Sequence, residues 1–349
     1  MKKIIFSLLV LALVAPGPAL ALYQANSSAT VVVGQQYLNY IPGAYHGGTP
    51  NQGDITKGFR SNINGLYSDG TRLFVADAAN NRVLIYNSLP TENDPKPDVV
   101  IGQPDFYATV SNQGGNPGAN TLSNPRGVYA TGTQLFIADA SNNRVLIYNT
   151  IPTSNNASAD VVIGQPDFIS NSENQGGSVG ANTFRFPSSI YASSTKLFIT
   201  DQKNNRVLIY NNIPTENNAS ADVVIGQPNK TTSAANYGGR SAKSLSTPMF
   251  VNIAGSKLFI TDTFNNRILI FNNIPSADYA EANVVVGQTA MNLGSSAIAA
   301  NRLNSPWAAL SDGNHLFISD SWNNRVLIYN TIPTVNGSSA DVVIGQVNL

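Results

Sequence analysis

Apolar positions in this chain come in short runs such as LFIA, VLIY and VVIG, each closed off by Gly, Pro, Asn, Asp or Ser. Such runs are strand-length and rich in β-forming residues, and after the first 21 residues no stretch keeps a helical period long enough to compete. One repeat, 125–168, predicts four strands. These are GVYA (127–130), QLFIA (134–138), RVLIYN (144–149) and DVVIG (160–164). The Asp139 to Asn143 turn joins the second and third, because Asp and Asn bond their own backbone and tolerate left-handed geometry. VLIY and VVIG are apolar on both faces, so each sheet has to be covered from both sides.

The same pattern returns five times. Repeat cores stand at 73–87, 135–149, 197–211, 258–272 and 316–330, and their Asp falls at 77, 139, 201, 262 and 320, spaced by 62, 62, 61 and 58 residues. A fixed period means one supersecondary unit copied and stacked. Four-stranded sheets packed face to face around an axis meet the covering requirement, so the expected fold is all-β, a β-propeller of four-stranded antiparallel blades. A β-solenoid is the runner-up, disfavoured because solenoid periods run nearer ~20–29 residues.

The core Leu-Phe-x-x-Asp-x-x-Asn-Asn-Arg-Val-Leu-Ile-Tyr is preceded, 14 residues before its Asp, by Pro125, Pro187, Pro248 or Pro306. It resembles the NHL repeat of β-propeller proteins, over essentially all of 31–346. The resemblance implies a propeller and little about activity, since that family's propellers host ligases, lyases, sensor domains and plain binding proteins. Two features depart from it: the repeats are longer, and each carries an added VVIGQ signature. The fourth-strand signature occurs six times, because VVVGQ (31–35) precedes the five repeats and VVIGQ (342–346) follows them. Five blades are favoured, with 31–35 as a candidate closing strand and 342–346 spare or in its place. Six blades are the alternative if the chain is incomplete.

Composition narrows the partners. Charged residues are 11% of the 349, against about 25% in an ordinary soluble domain, and the formal net charge is +0. Polarity comes from Asn, Ser, Thr and Gly instead. A neutral balance argues against nucleic acid, whose binding proteins carry a basic face. Lys2 and Lys3, the apolar stretch 4–14 and Ala-Leu-Ala at 19–21 read as a secretory signal peptide, cleaved after Ala21. The domain is then 22–349, secreted or periplasmic, with no membrane span once the signal is removed.

Residues repeated in every copy need a shared structural cause. Asp77, Asp139, Asp201, Asp262 and Asp320 end the second strand, and Arg82, Arg144, Arg206, Arg267 and Arg325 begin the third. They are expected to pair across the turn rather than form an acidic ring. Asp98, Asp160, Asp222 and Asp341, with Asn283 in the fourth copy, are expected as turn formers. Gln103 and its equivalents should tie strand exits to the next loop.

Recognition should lie where the copies differ. The turns and the long loops such as 104–124 share one face, and loops of ~20 residues are commonly functional or mobile. After the repeated Asp stand Lys203, Phe264 and Trp322 in the last three copies; after the Pro position stand Asn64, Arg126, Ser188, Met249 and Trp307. The candidate binding set is Phe264, Trp322, Trp307, Met249, Lys203 and Arg126, suited to a protein, peptide or glycan. Against catalysis, Cys is absent and the two His, His46 and His315, stand alone, so no zinc set or nucleophile triad is spaced for chemistry. No cofactor or metal is called for, though Asp and Asn oxygens could hold a structural Ca²⁺. The function expected is an exported binding module. The alternative is a lactonase-like hydrolase or lyase, metal-assisted, with carboxylates around the central channel.

Overall fold

The computed structural model describes residues 63–93 and 95–349, together with Val31 and Val33. The expected signal peptide (1–21), His46 and most of 31–35 lie outside the described residues. Within them, five separate four-stranded antiparallel sheets surround a central channel as a five-bladed β-propeller. The first blade is β1 (Ile63–Ser68), β2 (Leu73–Asp77), β3 (Arg82–Tyr86) and β4 (Val99–Ile101). The second is β5 (Pro125–Ala130), β6 (Leu135–Asp139), β7 (Arg144–Tyr148) and β8 (Val161–Ile163). The third is β9 (Pro187–Ala192), β10 (Leu197–Asp201), β11 (Arg206–Tyr210) and β12 (Val223–Ile225). The fourth is β13 (Pro248–Ala254), β14 (Lys257–Asp262), β15 (Arg267–Phe271) and β16 (Val284–Val286). The fifth is β17 (Ala308–Ser311), β18 (Leu316–Asp320), β19 (Arg325–Tyr329) and β20 (Val342–Ile344). Strands run from channel to rim in chain order.

The doubly apolar runs do what their pattern requires. In the second blade Phe136, Val145 and Ile163 face forward, onto Phe184, Ile190, Leu197 and Tyr210 of the third. Leu135, Ile137 and Tyr148 face backward, onto Phe74, Val83 and Ile101 of the first. Each such side chain, fully buried, contributes about 1.5–3 kcal/mol relative to exposure. Four seams of this kind join successive blades. The fifth blade differs. Its forward-facing Val326, Val342 and Ile344 are only half-buried, and among the described residues no apolar cluster spans from it to the first blade. Its outermost place is taken by Val342–Ile344, and Val33 packs on the backward face of the first blade, beside Leu73, Val75 and Leu84.

The repeated Asp and Arg form a buried clamp. In the third blade Asp201 Oδ2 accepts from Arg206 Nε at 2.8 Å and Asn204 Nδ2 at 2.8 Å, and Oδ1 accepts the Arg185 amide at 2.7 Å. Arg206 donates onward to the carbonyls of Gly180 (2.9 Å), Thr183 (2.8 Å) and Lys230 (2.6 Å). One ion pair thereby fixes the loop entering the blade and the loop leaving it. All five pairs stand at 2.7–2.8 Å with side chains 0% exposed. Between them, a 3₁₀ turn ends on an Asn at positive φ, for example Asn205 at 53°. Gln103 Nε2 bridges the carbonyls of Asn81 and Val110, both at 2.9 Å, so it links turn and loop. Asp222 receives the Asn211 amide at 2.7 Å and closes the outer connection.

Side-chain amides hold the long loops. Gln113 Nε2 donates to Asn120 O at 3.0 Å and Asn156 Oδ1 at 2.7 Å, and Asn112 exchanges bonds with Asn142 at 3.1 and 2.8 Å. The outer edge of each of the first four blades is also capped by the next: Val162 N donates to Asn217 Oδ1 and Val162 O accepts the Asn218 amide, both at 2.9 Å. Pairing the edge this way withholds it from other chains. The Asn-rich, charge-poor composition thus serves the architecture, and segment 104–124, of a length commonly functional or mobile, is packed in place.

Candidate functional site

The inner strands β1, β5, β9, β13 and β17 line a channel enclosing about 210 Å³. In the first four, the residue after the Pro position is a β-bulge. Pro125 pairs with Asp139 and Gly127 with Ala138, which leaves Arg126 without a partner in the ladder. Asn64, Ser188 and Met249 are the bulged residues of their blades. A bulge re-aims the side chain it carries, and these residues, with Trp307 of the fifth blade, line the channel at the end where the loops and turns gather. In the first two blades, close approach of neighbouring inner strands requires glycine one place on, at Gly65 and Gly127. A Cβ on Gly65 would lie 2.5 Å from the Arg126 carbonyl oxygen.

The sequence-predicted site residues divide into two groups. Arg126, Met249 and Trp307 line the channel. Phe264 and Trp322 project from the fourth- and fifth-blade turns at 64% and 70% exposure, and Lys203 is exposed on the third-blade turn. Backbone amides of all three turn residues rest on the incoming loop, at Arg185, Ser246 and Asn304. Both groups lie on the loop-rich face. Among the described residues no ring contact joins Phe264, Trp322 and Trp307 into one cluster.

Arg126 and Lys203 are linked by a residue that the variable positions did not flag. Phe186 lies with its ring 4.7 Å from Arg126 Cζ and 4.5 Å from Lys203 Nζ, between cations from two blades. It holds φ of 58°, where other blades have Asn124, Thr247 or Ser305, and its amide is fixed by Asn143 Oδ1 at 2.8 Å. Its sequence signal is an aromatic at the place before the repeated Pro.

Deeper in the channel, Tyr67, Tyr129 and Tyr191 form a row, with ring centroids 4.2 and 4.9 Å apart. Burial, then the neighbouring phenols, pushes the Tyr129 hydroxyl well above its ordinary range; burial raises Tyr67 and Tyr191 as well. Blades four and five put Asn252 and Leu310 among the lining in place of a tyrosine. One wall is thus phenolic and the other, with Met249, Phe250 and Trp307, apolar. Among the described lining residues there is no Asp, Glu or His, and Arg126 is the one cation. Burial lowers its guanidinium from the ordinary range.

The fold-wide carboxylates are not placed for a metal. Asp139, Asp201 and Asp262 each point both oxygens at N–H donors, so a cation would have to displace the clamp arginine. Among the described residues no group of three or more metal-ligating side chains gathers, and no helix is long and apolar enough to cross a membrane.

No family model and no curated protein matches the chain. Several solved structures are similar at low identity. A candidate 6-phosphogluconolactonase from Bacteroides uniformis aligns at 15% identity and a TM-score of 0.46, over 80% of this chain and 70% of that one. A nidogen/laminin complex aligns at 14% and 0.44, over 82% and 86%. Virginiamycin B lyase from Staphylococcus aureus aligns at 14% and 0.40, over 80% and 68%. Likeness at this level carries nothing about activity.

Proposed function

We propose that this chain is an exported binding module that takes a protein, peptide or glycan ligand at the loop-rich mouth of its channel. The observation that carries the reading is a division of labour. Residues repeated in every blade are consumed in clamps and seams, whereas those that differ, Arg126, Met249 and Trp307 with Lys203, Phe264 and Trp322 above, share one face. Aromatic and Arg side chains are the usual anchors of recognition surfaces. The lyase or lactonase alternative needs a carboxylate pair at the channel, and the described lining offers none.

A peptide and glycan array probed with the protein and with a Trp307→Ala, Trp322→Ala double variant tests the proposal. Ligands retained by the parent and lost by the variant support it. Equal retention by both would remove the loop-rich face as the site. Amino-terminal sequencing of secreted protein should begin at Leu22 if the leader directs export.

A further inference from the structure

Resting on that reading of the mouth, we propose that the channel holds a carboxylate carried on a flat apolar body, with Arg126 and Asn64 gripping the acid and Met249 and Trp307 covering the body. Arg126 is unlike the clamp arginines. Each clamp arginine has an Asp within 2.8 Å. The Arg126 guanidinium has no hydrogen bond or ion pair among the described residues, and its buried Nε is without a partner. Arg126 is half-buried, and its fully buried N–H without an acceptor is costly to keep; the compensation here is limited to the face of Phe186. On the adjacent blade, at the same bulged position, Asn64 Nδ2 is also buried and unpartnered. Two unsatisfied donors therefore border one concave space that contains no acid.

The charge of the ligand follows from the count. One guanidinium and one amide NH2 offer a fork and one further donor group, which match a singly charged planar carboxylate. A phosphate dianion would leave a second charge uncompensated in a space with no other cation. The body follows from the opposite wall, where Met249, Phe250 and Trp307 are contributed by the fourth and fifth blades. A few polar groups set in an apolar lining are the usual make-up of a small-ligand pocket. The volume of about 210 Å³ admits one ring with a short acid arm.

Isothermal titration of the full chain with phenylacetate and with its neutral isostere phenylacetamide tests the inference. Phenylacetate is expected to bind at least ~10-fold more tightly, the size of one charge-assisted contact. Arg126→Gln should erase that preference while thermal unfolding stays cooperative, and Asn64→Ala should reduce it by several-fold. If Arg126→Gln does not fold, the Asn64→Ala titration and Arg126→Lys, expected to keep the charge preference but bind more weakly, decide the matter. Equal binding of acid and amide, or an acid preference indifferent to both positions, would overturn the inference. So would silence toward acids in a protein that still captures array ligands through Trp322, and in that case the module reading would stand.

Discussion

Asp201→Ala removes the acid from a clamp that joins two loops and one turn, and its cost follows from what is left behind. The Arg206 charge stays 0% exposed with its counter-ion gone, which costs about 3–5 kcal/mol for a broken buried pair. The Arg185 amide also loses its acceptor, worth about 1–3 kcal/mol more. Asn204 keeps a second bond, to Asn174 Oδ1 at 2.8 Å, so it adds little. The terms overlap, giving about 4–6 kcal/mol, a large part of the ~5–15 kcal/mol typical of a folded domain. Urea unfolding followed by far-ultraviolet circular dichroism should show a much lower midpoint for this variant. Asp222→Ala, which loses only the exposed cap on the Asn211 amide, should move the midpoint little. An unfolding free energy for Asp201→Ala within about 1 kcal/mol of the parent's would mean that the clamp does not carry the blade junctions, and the structural account of the repeated Asp would fail.

Three further outcomes are expected. Tyr210→Phe should be neutral or stabilising by up to ~1 kcal/mol, since its buried hydroxyl has no partner and Phe271 already fills that place in the fourth blade; a loss above 2 kcal/mol in chemical denaturation would contradict this. Gly164→Ala should cost about 3 kcal/mol or more, because φ is +88° and a Cβ would stand 2.0 Å from Phe184 Cδ2, whereas Gly132→Ala, with open space around it, should be silent in the same melts. Alkali should unfold the protein in step with phenol ionisation. Burial raises Tyr148, Tyr210 and Tyr129 in the folded state, so the unfolded chain ionises first, near pH ~10, and stability present below that pH is lost as pH rises toward the folded values. Absorbance at 295 nm and circular dichroism should change together; phenols titrating near pH 10 in an intact fold would refute it.

The blade was readable from sequence because its physical determinants are local and copied. RVLIYN at 144 announces a strand covered on both faces, and Asp139 to Asn143 announces the turn, since each needs only its neighbours in the chain. The site was readable only in part. Arg126, Met249 and Trp307 could be flagged by their variation, but that a bulge opposite Asp139 turns Arg126 to the channel depends on ladder register. The Tyr67, Tyr129, Tyr191 row was missed because three identical residues look like scaffold, although Asn252 and Leu310 break the series. Phe186 was missed because its meaning comes from two cations on different blades, brought together only by closure of the seam. How loop 104–124 is held was not legible for a related reason: its anchors, Asn142 and Asn156, belong to the following blade.

The half-covered forward face of the fifth blade has a mechanical consequence. A stack of like units unfolds from the unit with the weakest couplings, and here that unit also carries Trp307. Among the described residues, the apolar packing of this blade is with the fourth, so it is the blade expected to open first. Opening there would change the span between the Trp307 indole and the Arg126 guanidinium, which line the same channel. Amide exchange fastest in β17–β20, slowed when the pore is occupied, is what that coupling of aperture to blade anchorage would produce.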